Sequence, residues 1–87
     1  MKSFDALWDE LVITVANRPT GSGTISALEK GTHHIAKKVL EEAGEVMAAA
    51  DHQSDSELAA EMAQLLYWVQ VLALSRGIAI EDIYRRL

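Results

Sequence analysis

Glu41, Glu42 and Glu45 lie within one short stretch, and Lys37 and Lys38 precede them by about one helical turn. Carboxylates can ligate hard cations or accept protons, and ammonium groups can meet phosphate oxygens. On a helix each residue turns by about 100°. The apolar stripe of this segment is Ile35, Val39, Ala43, Val46, Met47 and Ala50. From its middle, Glu42 lies about 80° away and Glu45 about 140° away on the same side, with Glu41 just beyond. At i and i+3, Glu42 and Glu45 have side chains about one turn apart. Further on, Leu58, Met62, Leu65, Leu66, Val69, Leu72 and Ala73 form a second stripe. Glu61 lies about 80° from its middle, with Glu57 one turn earlier. Both segments therefore carry acids at the rim of faces that should pack together.

Two chemistries compete for this pattern. Glutamate forms helices well, and Glu-rich stretches are commonly solvated faces. Against that, like charges one turn apart cost a few tenths of a kcal/mol, and an adjoining apolar stripe adds desolvation. A cation relieves both, and hard oxygens from two facing helices suit Mg²⁺, with water and substrate phosphates completing its octahedron. Spacing alone leaves the metal site and the solvated face both open.

The elements that must position these residues follow from apolar spacing. Phe4, Leu7, Trp8, Leu11, Val12 and Val15 predict a helix from Phe4 to Ala16, with Ser3 as N-cap. Residues 17–23 hold the only Pro/Gly/Ser-rich stretch and read as a loop, long for so small a chain and so a functional candidate. A helical turn over Ser26–Lys30 ends near Gly31, and a long helix runs from Thr32 to about His52. Ser54 or Asp55 caps the next helix, about Ser56–Arg76, which stops at Gly77, and a short helix covers Ile80–Leu87. Two long helices joined by a short break make an antiparallel hairpin. Such a hairpin buries one face poorly alone, and two of them make a four-helix bundle, so a homodimer is expected.

Composition narrows the classes further. Eighty-seven residues suit one domain, 1–87, and bury only a modest core, so a second copy is a natural source of more. With 49% apolar residues and only 6% aromatic, the core must come from Leu, Ile, Val, Ala and Met, which favours an all-α fold. A net charge of −5 without a basic run argues against a nucleic-acid partner. Cysteine is absent, which removes disulfide and thiolate chemistry. No apolar leader follows Met1, and no stretch approaches 18 uncharged apolar residues, so the expectation is a cytoplasmic protein without a membrane partner.

The pattern Glu41-Glu42-x-x-Glu45, followed after a helical break by Glu61-x-x-Gln64, resembles the EExxE…ExxD signature of the all-α nucleotide pyrophosphohydrolases, the MazG-type superfamily. The wider context resembles the phosphoribosyl-ATP pyrophosphohydrolases within it. The matching stretches are Ser22-Gly23-Thr24, Lys30-Gly31, Ile35 to Val39, Leu65-Leu66-Tyr67-Trp68, Arg76-Gly77-Ile78 and Glu81-Asp82-Ile83. The resemblance covers the chain after residue 20, and the first helix matches less specifically. It departs at Gln64, where the family usually has Asp. An amide can offer Mg²⁺ an oxygen but no charge, unless Glu57 or substrate oxygens compensate.

That resemblance implies hydrolysis of phosphoribosyl-ATP between its α- and β-phosphates, the second step of histidine biosynthesis. It implies Mg²⁺ held by Glu42, Glu45 and Glu61 with Gln64, and it makes Glu41 the candidate to orient or deprotonate the attacking water. Lys38 reaches toward phosphate or pairs with Glu42, an ordinary i,i+4 ion pair. Lys37, Lys30, Ser22 and Thr24 complete the candidate substrate contacts, and Arg18 flanks the same loop, although loop hydroxyls commonly cap helices. His33 and His34 point about 100° apart on a helix and cannot share one metal. Tyr67 and Trp68 could stack on a purine but suit a core or dimer interface, and Met47 and Met62 read as core. Two other readings stay open: a house-cleaning nucleoside triphosphate pyrophosphohydrolase with the same acids, and a helical dimerisation module without chemistry, which would be indifferent to Glu42→Gln.

Overall fold

Three serines set where helices begin. The hydroxyl of Ser3 accepts from the Ala6 N–H at 3.1 Å, Ser22 from Ile25 at 3.2 Å, and Ser54 from Glu57 at 3.2 Å. Each satisfies a first-turn donor that the helix itself cannot. The computed structural model describes all 87 residues as five helices and no strands: α1 Phe4–Asn17, α2 Gly23–Lys30, α3 Thr32–His52, α4 Asp55–Arg76 and α5 Ile80–Tyr84. At the start of α4 the capping is reciprocal, because the Glu57 carboxylate accepts from the Ser54 N–H at 3.4 Å.

Glycines end two of these helices. Gly31, at φ 101°, separates α2 from α3, and Gly77, at φ 68°, lets the Ile78 N–H reach back to the Ala73 carbonyl at 2.9 Å. The α1–α2 connection is shorter than the loop expected over residues 17–23. Arg18 takes the left-handed conformation after Asn17 and donates its N–H to Thr14 O at 2.8 Å, while the Ser22 cap starts α2 at Gly23. The final helix also stops earlier than expected, at Tyr84.

The hairpin of α3 and α4 is the frame; α1 packs on α4, and α2 packs on α3, on α1 and more lightly on α4. Leu11 of α1, Ala27 of α2, Ile35 of α3 and Val71 of α4 form the central cluster, flanked by Leu7, Leu28, Tyr67, Trp68, Leu72 and Leu74. Polar bonds tie the outer helices to this frame. The buried Gln70 side-chain amide donates to Phe4 O at 2.9 Å, and the Tyr84 hydroxyl donates to Asp5.

The buried stripe of α3 differs from the one expected. Ile35, Val39, Glu42, Val46 and Ala49 turn toward shelter, while Ala43, Met47 and Ala50 are exposed. The helix is apolar over a wide arc, and hydropathy alone cannot say which part of it meets α4. On α4, Met62 and Leu66 are likewise exposed, so the Met47–Met62 pair is not core of the single chain. Relative exposures of 74% for Leu40, 68% for Met47 and 48% for Leu66 mark a large uncovered apolar surface. Only 10 of 87 residues are buried, too thin a core for so apolar a chain. By length and composition α4 could cross a membrane, at a mean hydropathy of 1.3 over 18 residues. Glu61 interrupts that stretch, which is why no uncharged run of that length exists in the sequence.

Candidate active site on the helical hairpin

Two contacts fix the register of the hairpin. The Thr32 and Ser75 hydroxyls lie 2.6 Å apart, and the Lys38 ammonium stands 5.6 Å from the Trp68 ring centroid. Carrying that antiparallel register along the helices sets Glu42 level with Gln64 and Leu65, and Glu45 level with Glu61. The four residues expected to hold a metal therefore occupy neighbouring levels of one hairpin. Glu42 and Glu61 are half-buried, whereas Glu45 and Gln64 are exposed.

None of Glu42, Glu45 and Glu61 has an ion-pair partner; the four salt bridges of the chain lie elsewhere. Nor does any of the three accept a side-chain hydrogen bond, so half-buried carboxylates on facing helices stand uncompensated. No three Asp, Glu or His side chains converge closely enough to hold a metal ion in the rotamers observed. The donor chemistry nevertheless fits a hard cation: flexible carboxylates without competing partners, and an amide oxygen at the same level. Glu57, one turn before Glu61, caps α4, its Oε1 accepting from the N–H and, at 2.9 Å, the hydroxyl of Ser54.

Lys38 pairs with Glu41 at 3.0 Å, at i,i+3, and not with Glu42 as the i,i+4 spacing suggested. Both spacings are neighbours on a helix, and the lysine takes the exposed Glu41 while its ammonium also stands over the Trp68 ring. The hydrogen bond from Lys38, and then its charge, hold the Glu41 carboxyl below its usual range, with smaller help from Lys37 and His34 and some opposition from desolvation. A depressed carboxyl is a weaker base and a better fixed anion.

The remaining candidates sort by distance from this level. Thr24 is buried with its hydroxyl 2.5 Å from the Tyr67 hydroxyl, and Ser22 caps α2, so both hydroxyls already have protein partners. The Thr24–Tyr67 bond fixes the start of α2 about one turn of α4 from Gln64. Lys37 is exposed without an ion pair, and so is Lys30, which ends α2 before the Gly31 break and so lies outside the helix that carries Glu42. Arg18 is drawn to Glu29 at 3.8 Å. His33 and His34 join no metal-holding group.

Beside Gln64, an open groove of about 490 Å³ runs between the start of α1 and α4, with Phe4, Leu7, Leu66 and Tyr67 on its walls. Sequence reasoning missed two residues that shape this region. One is Gln70, which holds α1 against the groove, and the other is Trp68 as a partner of Lys38; neither role shows in hydropathy, because each depends on what another helix brings near. The family model for phosphoribosyl-ATP pyrophosphohydrolase matches residues 5–87, nearly the whole chain and all of this hairpin. With that match, the all-helical fold and the acids on its hairpin, the chain belongs to the phosphoribosyl-ATP pyrophosphohydrolase family, enzymes that hydrolyse a phosphoric anhydride bond in histidine biosynthesis.

Proposed function

We propose that the chain hydrolyses phosphoribosyl-ATP between the α- and β-phosphates in a Mg²⁺-dependent reaction, giving phosphoribosyl-AMP and pyrophosphate, and that it does so in the cytoplasm as a homodimer. The observation that carries the metal dependence is the set of uncompensated carboxylates, Glu42, Glu45 and Glu61, at neighbouring levels of two facing helices. A polyphosphate could not approach such a surface without a cation between them.

Glu42, Glu45 and Glu61, with the Gln64 side-chain oxygen, would hold Mg²⁺. When bound there, the ion would supply positive charge to the phosphate oxygens as the anhydride breaks. Lys38 and Lys37 lie one turn earlier on α3, where their ammonium groups can meet phosphate oxygens that project beyond the acids. Glu41 orients the attacking water. As Lys38 turns from Glu41 to phosphate, the Glu41 carboxylate regains basicity and can accept the proton that the water gives up. The groove beside Gln64 offers apolar and aromatic walls to the nucleoside part of the substrate. The dimer would cover Leu40, Met47, Met62 and Leu66.

The test is pyrophosphate release by the purified protein, using phosphoribosyl-ATP and a panel of nucleoside triphosphates, with and without Mg²⁺. Release from phosphoribosyl-ATP alone, abolished by chelation and restored by Mg²⁺, is the expected result. Preference for ordinary triphosphates would move the chain to a house-cleaning role, and turnover indifferent to chelation would remove the metal from this account.

A further inference from the structure

Lys38 is held from two sides. Its ammonium is 3.0 Å from the Glu41 carboxylate on its own helix and 5.6 Å from the centroid of Trp68 across the hairpin. Trp68 is half-buried and braced edge-on by Tyr67, with 5.2 Å between ring centroids. Tyr67 is in turn fixed by its bond to the buried Thr24. The ring under Lys38 is thus part of the packed frame, whereas Glu41 is exposed and its pair with lysine would by itself be loose.

We propose that Trp68 is a positioning residue, whose indole face holds the Lys38 ammonium at the rim of the carboxylates so that an incoming phosphate meets a cation already in place. The inference rests on the reading above that Lys38 contacts phosphate. A π face attracts the ammonium without occupying any of its three N–H donors in a directed hydrogen bond. Lys38 can therefore exchange Glu41 for a phosphate oxygen while its head stays on the ring. A long lysine stem left free would sample many rotamers, and binding would have to select one of them.

The experiment compares steady-state kinetics with phosphoribosyl-ATP for the wild type, Trp68→Leu, Trp68→Phe, Lys38→Met and the double variant Trp68→Leu/Lys38→Met, each with a thermal melt. Trp68→Leu is expected to raise KM roughly three- to tenfold with kcat within about twofold, the size of a partly desolvated cation–π contact. Trp68→Phe, with a weaker π face, should fall between. In the Lys38→Met background, Trp68→Leu should change KM no further. An unchanged KM in Trp68→Leu overturns the proposal, and so does an equal rise in both backgrounds, which would mean that the indole touches substrate itself.

Because Trp68→Leu can also loosen the hairpin, the Lys38 ε-methylene protons provide a second reading in the folded wild type. An upfield ring-current shift that shrinks in Trp68→Phe and is lost in Trp68→Leu supports the contact, and its absence in the wild type overturns it. If the wild type itself fails to turn over phosphoribosyl-ATP, the proposed function falls and this inference with it. Turnover with the Trp68 arms unresponsive sinks the inference alone.

Discussion

Gln70, fully buried on α4, donates its side-chain amide to the Phe4 carbonyl at 2.9 Å, while its own Oε1 finds no partner. A buried acceptor without a donor costs free energy, which offsets part of what the bond to α1 contributes. Gln70→Leu should therefore change stability by less than about 1.5 kcal/mol, since it removes the orphaned oxygen together with the bond. Gln70→Glu should cost roughly 2–5 kcal/mol at neutral pH, because it buries a charge against a carbonyl oxygen. Burial would raise that carboxyl above its unfolded value, so the deficit grows as pH rises through the carboxylate range and shrinks in acid. Urea unfolding of both variants at acid and neutral pH measures this, and a pH-independent deficit in Gln70→Glu would contradict it.

Thr24 and Tyr67 share one hydrogen bond, at 2.5 Å between α2 and α4. Thr24→Val and Tyr67→Phe should each lose about 1 kcal/mol of stability, and the double variant should lose little more than either. Additive losses would show that the two hydroxyls act independently. Kinetics of Thr24→Val separate a structural from a substrate role: a large KM increase without loss of melting temperature would return Thr24 to the phosphate contacts.

Glu45 is exposed and has no protein partner. Glu45→Gln is expected to abolish turnover while melting temperature stays level or rises, because one charge of the Glu41-Glu42-Glu45 group is removed. A substantial fall in melting temperature would recast Glu45 as a structural residue.

Leu66 stands on the surface of the single chain at 48% exposure, contrary to its place in the apolar stripe of α4. Truncating a buried leucine costs about 2–5 kcal/mol, the loss that a buried stripe position would carry. In an isolated protomer Leu66→Ala should cost only about 1 kcal/mol or less. A homodimer that covers the residue restores the larger cost and makes it depend on protein concentration. Melting curves across a hundredfold dilution, with sedimentation of Met47→Glu, distinguish the two; a monomeric wild type would end the dimer proposal.

The amino-acid sequence by itself determined the five helices and most of their ends, since those are local matters. Ser3, Ser22 and Ser54 satisfy nearby N–H groups, and Gly31 and Gly77 adopt backbone angles that other residues resist. The acids of α3 and Glu61 of α4 were legible for the same reason, because one-turn spacing needs only helix geometry. Ser22 beginning α2 at Gly23 was missed, although its signal was local, because the neighbouring glycines read as loop.

What tertiary structure decided is which part of each wide apolar arc meets another helix. Glu42 turned inward with Val39 and Val46 while Met47 turned outward, and no single-helix pattern distinguishes those outcomes. Partner choice was equally non-local. Lys38 took Glu41 in place of Glu42 beside Trp68, a residue that the antiparallel hairpin brings across from far along the chain. Gln70 reads as an interruption of an apolar helix, and only the arrival of Phe4 from the other end of the sequence gives its amide an acceptor. A side chain's neighbours along its own helix follow from a rise and a rotation, but those on other helices follow from how the whole core packs.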